Sequence, residues 1–223
     1  MHDRYLHEVV EALNLCPFSR KSREAGRVER PIFRPASPDG PASAACDLLE
    51  ATIDTNPEVE IILLTAPVRL GHPWRTPATF DGFLTELRAA FDARPNLPAF
   101  YMVTFHPMLK DPSSTPARPH QLVSWIRRTP DPVIQCVRAE TLDAVRRQAQ
   151  AVHDARIRAQ ALAHSPEMAA LLDRCVTTDP EISSDIAEAN FDAVGRGDGL
   201  ARLDALIAEI HRERHERYAD PPA

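Results

Sequence analysis

Three short segments of this chain carry residue types that can do chemistry. The first is Leu13-Asn14-Leu15-Cys16-Pro17-Phe18, the second Thr104-Phe105-His106-Pro107, and the third Arg127-Arg128-Thr129-Pro130-Asp131-Pro132, followed by Arg138. A thiol such as Cys16 serves as a nucleophile once ionised, as a metal or haem ligand, or as a small core group. An imidazole such as His106 moves protons, binds iron, or fills a structural hydrogen-bonding role. A guanidinium held between prolines, as Arg128 is, suits carboxylate recognition; as an ordinary exposed arginine it does nothing. Cys16 and His106 together would make a Cys–His nucleophilic pair, with Asp111 or Asp131 as the orienting acid.

The first element bears on Cys16. Leu6, Val9, Val10 and Leu13 recur at helical spacing behind Asp3 as N-cap, and Pro17 stops the helix at Cys16. A thiol at a helix C-terminus faces the negative end of the dipole, which opposes the thiolate. A free nucleophile then needs Arg27, Arg128 or Arg138 folded nearby. Iron removes the objection, because a coordinated thiol is deprotonated outright. The favoured reading is therefore a haem-thiolate oxidoreductase of small molecules. Cys16 is its metal ligand, His106 its distal acid–base, and Arg128 a catalytic partner for a substrate carboxylate. Arg27 and Arg138 are cofactor-binding residues that grip the haem propionates. Two alternatives stand beside it: a cofactor-free Cys–His hydrolase or transferase, and a non-enzymatic ligand-binding or interaction protein.

The elements that must position these residues read as follows. Residues 27–34 form a short edge strand with a proline, and 42–55 a helix. Residues 59–68 are continuously apolar, as a strand buried on both faces is. Residues 78–93 form a helix, 98–106 a strand ending on His106, 120–128 a short helix and 133–139 the last strand. Residues 140–163 are helical. Ser165-Pro166 and Asp179-Pro180 each open a further helix, to about Val176 and over 181–194, and a final helix runs over 200–218. The expected fold class is α/β: a sheet of about four strands with flanking helices, ferredoxin-like or a related sandwich, plus a helical C-terminal extension. Residues 1–139 are the expected core domain carrying the site, 140–218 the extension packed on it, and 219–223 a tail.

Composition removes several classes. The chain has 223 residues, with 21 Pro against 7 Gly, whereas average usage is roughly 5% and 7%. There is no GxGxxG and no P-loop, so a phosphate-cradling nucleotide fold is not expected. A net charge of −6 argues against a nucleic-acid partner. No apolar run reaches bilayer length and no signal-peptide pattern opens the chain. The expected setting is cytoplasmic, with a small-molecule substrate, no membrane partner, and the helical extension as a surface for homodimerisation. Cys46, Cys136 and Cys175 read as core thiols. His211 and His215, interleaved with Arg and Glu, read as a solvated helix face. His72-Pro73-Trp74-Arg75 reads as a loop at a pocket mouth. Prolines stand directly after the candidate residues, which suggests a site pre-set by stiffened element ends.

Taken in order and spacing, the three segments resemble a bacterial family described only as domain-of-unknown-function family 1415. The likeness rests on Leu13-Asn14-Leu15-Cys16-Pro17-Phe18, then Gly26-Arg27-Val28, Thr104-Phe105-His106-Pro107, Arg128-Thr129-Pro130-Asp131-Pro132 and Val137-Arg138, and covers roughly residues 5–195. There are departures. Met108-Leu109-Lys110-Asp111 stands where the family has an aromatic and Gln-Phe. Gln135 stands where it has a His, and Trp125-Ile126 where it has Asn residues. The resemblance implies a site and no particular reaction.

Overall fold

The computed structural model describes residues 2–16, 19–34, 40–69, 71–109, 115–164 and 182–217. Its centre is a four-stranded mixed sheet in the order β1-β2-β4-β3. The strands are β1 (Val28–Glu29), β2 (Ile61–Thr65), β3 (Phe100–Phe105) and β4 (Val133–Arg138). β1 runs parallel to β2, while β4 is antiparallel to both β2 and β3. The parallel first pair makes this the related sandwich rather than the ferredoxin-like sheet. β1 is a short edge, extended by a single bridge from Ile32 to Thr65, as Pro31 in the segment requires.

One face of the sheet is covered by α3 (Pro41–Thr55) and α4 (Pro77–Asp92). Ile62, Leu64, Met102, Ile134 and Cys136 from the strands meet Leu49, Phe80, Phe83, Leu87 and Phe91 from these helices in the main core. Alternate residues of a strand point to opposite faces, so these positions leave Leu63, Val103 and Gln135 for the other side. The prolines act as helix openers: Pro41, Pro77 and Pro119 each occupy the first turn of a helix, where the missing N–H costs nothing. Cys46 and Cys136 are buried thiols as expected, and burial pushes Cys136 up to about 12.

The second face carries α1, α2 (Ser19–Glu24), α5 (Pro119–Ile126), α6 (Ala139–His164), α7 (Ile182–Val194) and α8 (Gly197–Arg217). α1 departs from expectation. It begins as an α-turn at His2–Arg4 and widens into a π-helix over Tyr5–Glu11. Asp3 therefore lies inside the helix instead of capping it. A second core joins Tyr5, Val9, Leu15, Leu122 and Trp125 to Phe191, Leu203, Ile207 and Ile210. Gly195 turns the chain between α7 and α8. A Cβ there would lie 2.4 Å from the Phe191 ring and 2.7 Å from its carbonyl, so only glycine lets the chain leave α7 this close to Phe191.

The helix expected from Ser165, the Asp179-Pro180 start, Cys175, Asp111, Pro17 and the tail over 219–223 lie outside the described residues. Among the described residues no helix is long and apolar enough to cross a membrane.

Candidate functional site

Between the second face of the sheet and the helices above it lies a chamber of about 440 Å³. Strand register defines its floor. Ile61, Val137 and Tyr101 form one cross-strand row, Leu63, Gln135 and Val103 the next, and Val133 and Phe105 the last. Gln135 is thus the polar centre of an apolar floor. The roof is built from Tyr5, Leu6 and Val10 of α1, Leu122 and Ile126 of α5, Leu142 of α6 and Ala187 of α7. The π geometry matters here, because residues five apart share a face and Tyr5 and Val10 both reach the chamber. The Tyr5 hydroxyl donates to the Ile126 carbonyl, and burial pushes its ionisation well above the ordinary tyrosine range.

Cys16 lies on this wall, half-buried. The helix before it ends at Glu11, and the Leu15 N–H donating to the Val10 carbonyl at 2.8 Å carries the turn up to Cys16. Its carbonyl accepts from Ser19 N–H at 3.4 Å, joining it to the start of α2. Ser19 also lines the chamber. It is only 5% exposed, and its Oγ has no hydrogen-bond partner among the described residues.

His106 is on the other side of the sheet. It continues the parity of Met102 and Thr104, which face α4. Its ring is fully buried, tilted against Phe80 at 6.0 Å. Nε2 meets the Trp74 carbonyl at 3.0 Å and Nδ1 accepts from Met108 N–H at 3.1 Å. Burial pushes its pKa below the ordinary histidine value, because the charged form is desolvated. The structure therefore does not bring Cys16 and His106 together. The His72 turn supports this arrangement. His72 Nδ1 caps Trp74 N–H at 3.1 Å, and Trp74 packs into the main core.

Arg128 is 7% exposed and turned toward α8, not into the chamber. Nη2 donates to Asp204 at 2.6 Å, Nε to the Trp125 carbonyl at 3.1 Å, and the guanidinium lies over the Trp125 ring. Arg27 pairs with Glu60 at 2.8 Å. Arg138 donates to the carbonyls of Val59 and Pro57 at 2.7 and 2.6 Å, on the face where Phe100 lies. Of the residues expected to hold a haem, only Cys16 lines the chamber. Asp131 accepts from His2 at 3.2 Å and from Arg214 at 2.9 Å. Burial pushes its carboxyl up, but those two partners more than offset this and hold it below the usual range. His211, expected to be solvated, instead meets the Arg128 carbonyl at 3.2 Å and is held below the ordinary histidine value by burial.

The residues missed from sequence are Tyr5, Ser19, Arg127 and Gln135. Gln135 had a signal: it is the one amide in the otherwise apolar run Val133-Ile134-Gln135-Cys136-Val137. Arg127 was overlooked beside Arg128. Of the two, Arg127 lines the chamber, its guanidinium 5.5 Å from the centre of the Phe105 ring. Among the described residues no group of three or more His, Cys, Asp and Glu is placed to hold a metal ion.

The family model described as a protein of unknown function, DUF1415, matches residues 2–171. The chain belongs to the DUF1415 family. No curated protein and no solved structure matches it. In this DUF1415 protein the segments of the motif have separate duties. Leu15-Cys16 closes the chamber wall, with Leu15 accepting from Asn190 Nδ2 at 3.1 Å. The Phe105-His106 piece divides, Phe105 facing the chamber and His106 the opposite core. Arg128 and Asp131 are tied to Asp204 and Arg214 of α8. That helix lies beyond the part of the chain the DUF1415 model covers.

Proposed function

We propose that this protein takes up a small, mainly apolar molecule in the chamber, with the Cys16 thiol as the reactive or ligating group on its wall. The supporting observation is the chamber itself. Its floor and roof are apolar, yet Cys16, Ser19, Gln135 and Arg127 reach it, the composition expected of a small-ligand site. A neutral fluorescent probe, N-phenyl-1-naphthylamine, tests this. The native protein binds it with a blue shift, and Leu63→Trp and Val103→Trp, which fill the floor, lose that binding. A native protein that does not bind, or filled variants that bind unchanged, would remove the proposal.

A haem seated on Cys16 is the second reading, supported by a thiol on an apolar wall. Arg27 and Arg138 do not serve it, being engaged elsewhere. The absorption spectrum decides. A Soret band that disappears in Cys16→Ser favours haem, and a colourless protein that takes up no haemin sinks it.

A further inference from the structure

We infer that the chamber selects a carboxylate-bearing ligand, an elongated apolar acid whose anionic end is gripped by Arg127. This rests on the chamber reading above and names its ligand class.

The basic side chains on the chamber wall differ in one respect. His2 is paired with Asp131 at 3.2 Å and Arg146 with Asp143 at 3.1 Å. Arg127 makes no ion pair or side-chain hydrogen bond to any described residue, and only the Phe105 ring lies beneath it. Burial pushes its pKa below the ordinary guanidinium value, and the nearby Tyr5 hydroxyl offsets this only in part. A half-buried guanidinium with no counter-ion among the described residues is an incomplete ion pair. A planar carboxylate completes it bidentately, in a medium where such a bond is strong.

A second, independent observation points to a ligand. Ser19 Oγ is buried on the chamber wall without a partner among the described residues, although buried hydroxyls are normally bonded. The Gln135 amide, between the two, also bonds to no described residue. These polar groups are spread across the floor. α2, which carries Ser19, is fastened beside β2 by the Ser22–Glu60 hydrogen bond at 2.6 Å, whereas Arg127 stands over Phe105 of β3, the far edge strand. Strands are spaced about 4.8 Å apart, so the two positions lie at least about 10 Å apart across the sheet. That suits an acid with an extended apolar body, held at its head by Arg127 and reaching Ser19 and Cys16 with its tail.

Competition against N-phenyl-1-naphthylamine tests the inference, with octanoate and octanamide as ligands of nearly the same shape. Octanoate is expected to displace the probe from the native protein at about tenfold lower concentration than octanamide. Arg127→Gln is expected to erase that gap while still binding the probe. If octanoate is no better than octanamide in the native protein, the carboxylate assignment falls while probe binding keeps the chamber reading. If the gap persists in Arg127→Gln, Arg127 is not the partner and the inference falls. If the native protein binds no probe, both fail together. The octanoate–octanamide comparison needs no variant, so misfolding of Arg127→Gln cannot rescue the idea.

Discussion

The imidazole of His106 is bound to the backbone carbonyl of Trp74 at 3.0 Å, and this contact makes a strand-end histidine part of the core. With Nδ1 accepting from Met108 N–H, both ring nitrogens are used and the tautomer is set, with the proton on Nε2. His106→Ala would leave the Trp74 carbonyl unpaired and open a void against Phe80. A loss of about 2–4 kcal/mol in urea unfolding is expected, with probe binding in the chamber unchanged. Loss of binding at full stability would return His106 to the site.

The same burial gives the fold a pH dependence. His106 and His211 are both held below the ordinary histidine value by desolvation. The unfolded chain therefore takes up protons, near the usual value of about 6.5, before the folded protein does. Where the unfolded state binds more protons, stability rises with pH. The contribution of these residues is thus complete above about pH 6.5 and is lost as pH falls through that value toward their folded ones. Thermal unfolding between pH 7 and 5 should show a falling midpoint. His211→Gln, whose amide can still donate to the Arg128 carbonyl, should flatten the fall. An unchanged slope in that variant would assign the effect to other groups.

Arg128 stitches the α5–β4 link to α8 through Asp204 and the Trp125 carbonyl. Arg128→Met keeps the apolar stem over Trp125 but removes both hydrogen bonds. Because Asp204 is 38% exposed, water takes over part of the lost pairing, and a cost of about 1–2 kcal/mol is expected. Carboxylate selectivity should survive, since Arg128 does not face the chamber. A competition assay in which Arg128→Met loses the octanoate preference would shift the anion site to Arg128.

Most elements were readable because period and punctuation agree locally. Alternation marks β3, continuous apolarity marks β2, and Pro41, Pro77 and Pro119 mark helix starts. The site was only partly readable, for reasons that are not local. Cys16 could be singled out by its type and by Pro17. Whether His106 faces Cys16 depends on strand parity relative to which face each helix covers, and nothing within either segment encodes that. The choice between Arg127 and Arg128 turns on one residue of rotation at the end of α5. It is settled by Asp204, 76 residues away. The π turns of α1 left no mark on a pattern that also fits an α-helix.

Gln135 separates a structural polar group from a functional one. A half-buried amide bonded to no described residue costs some stability, and such local penalties collect where a protein keeps groups for a ligand. Gln135→Leu substitutes an apolar side chain of similar size at the centre of the floor, between Leu63 and Val103. The expected result is a gain of about 1 kcal/mol, read as a rise of about 2–4 °C in Tm. The neutral probe should bind as well or better, because the floor becomes wholly apolar. A variant that is instead destabilised would show that the amide supports the sheet, and Gln135 would then leave the group of chamber residues held for a ligand.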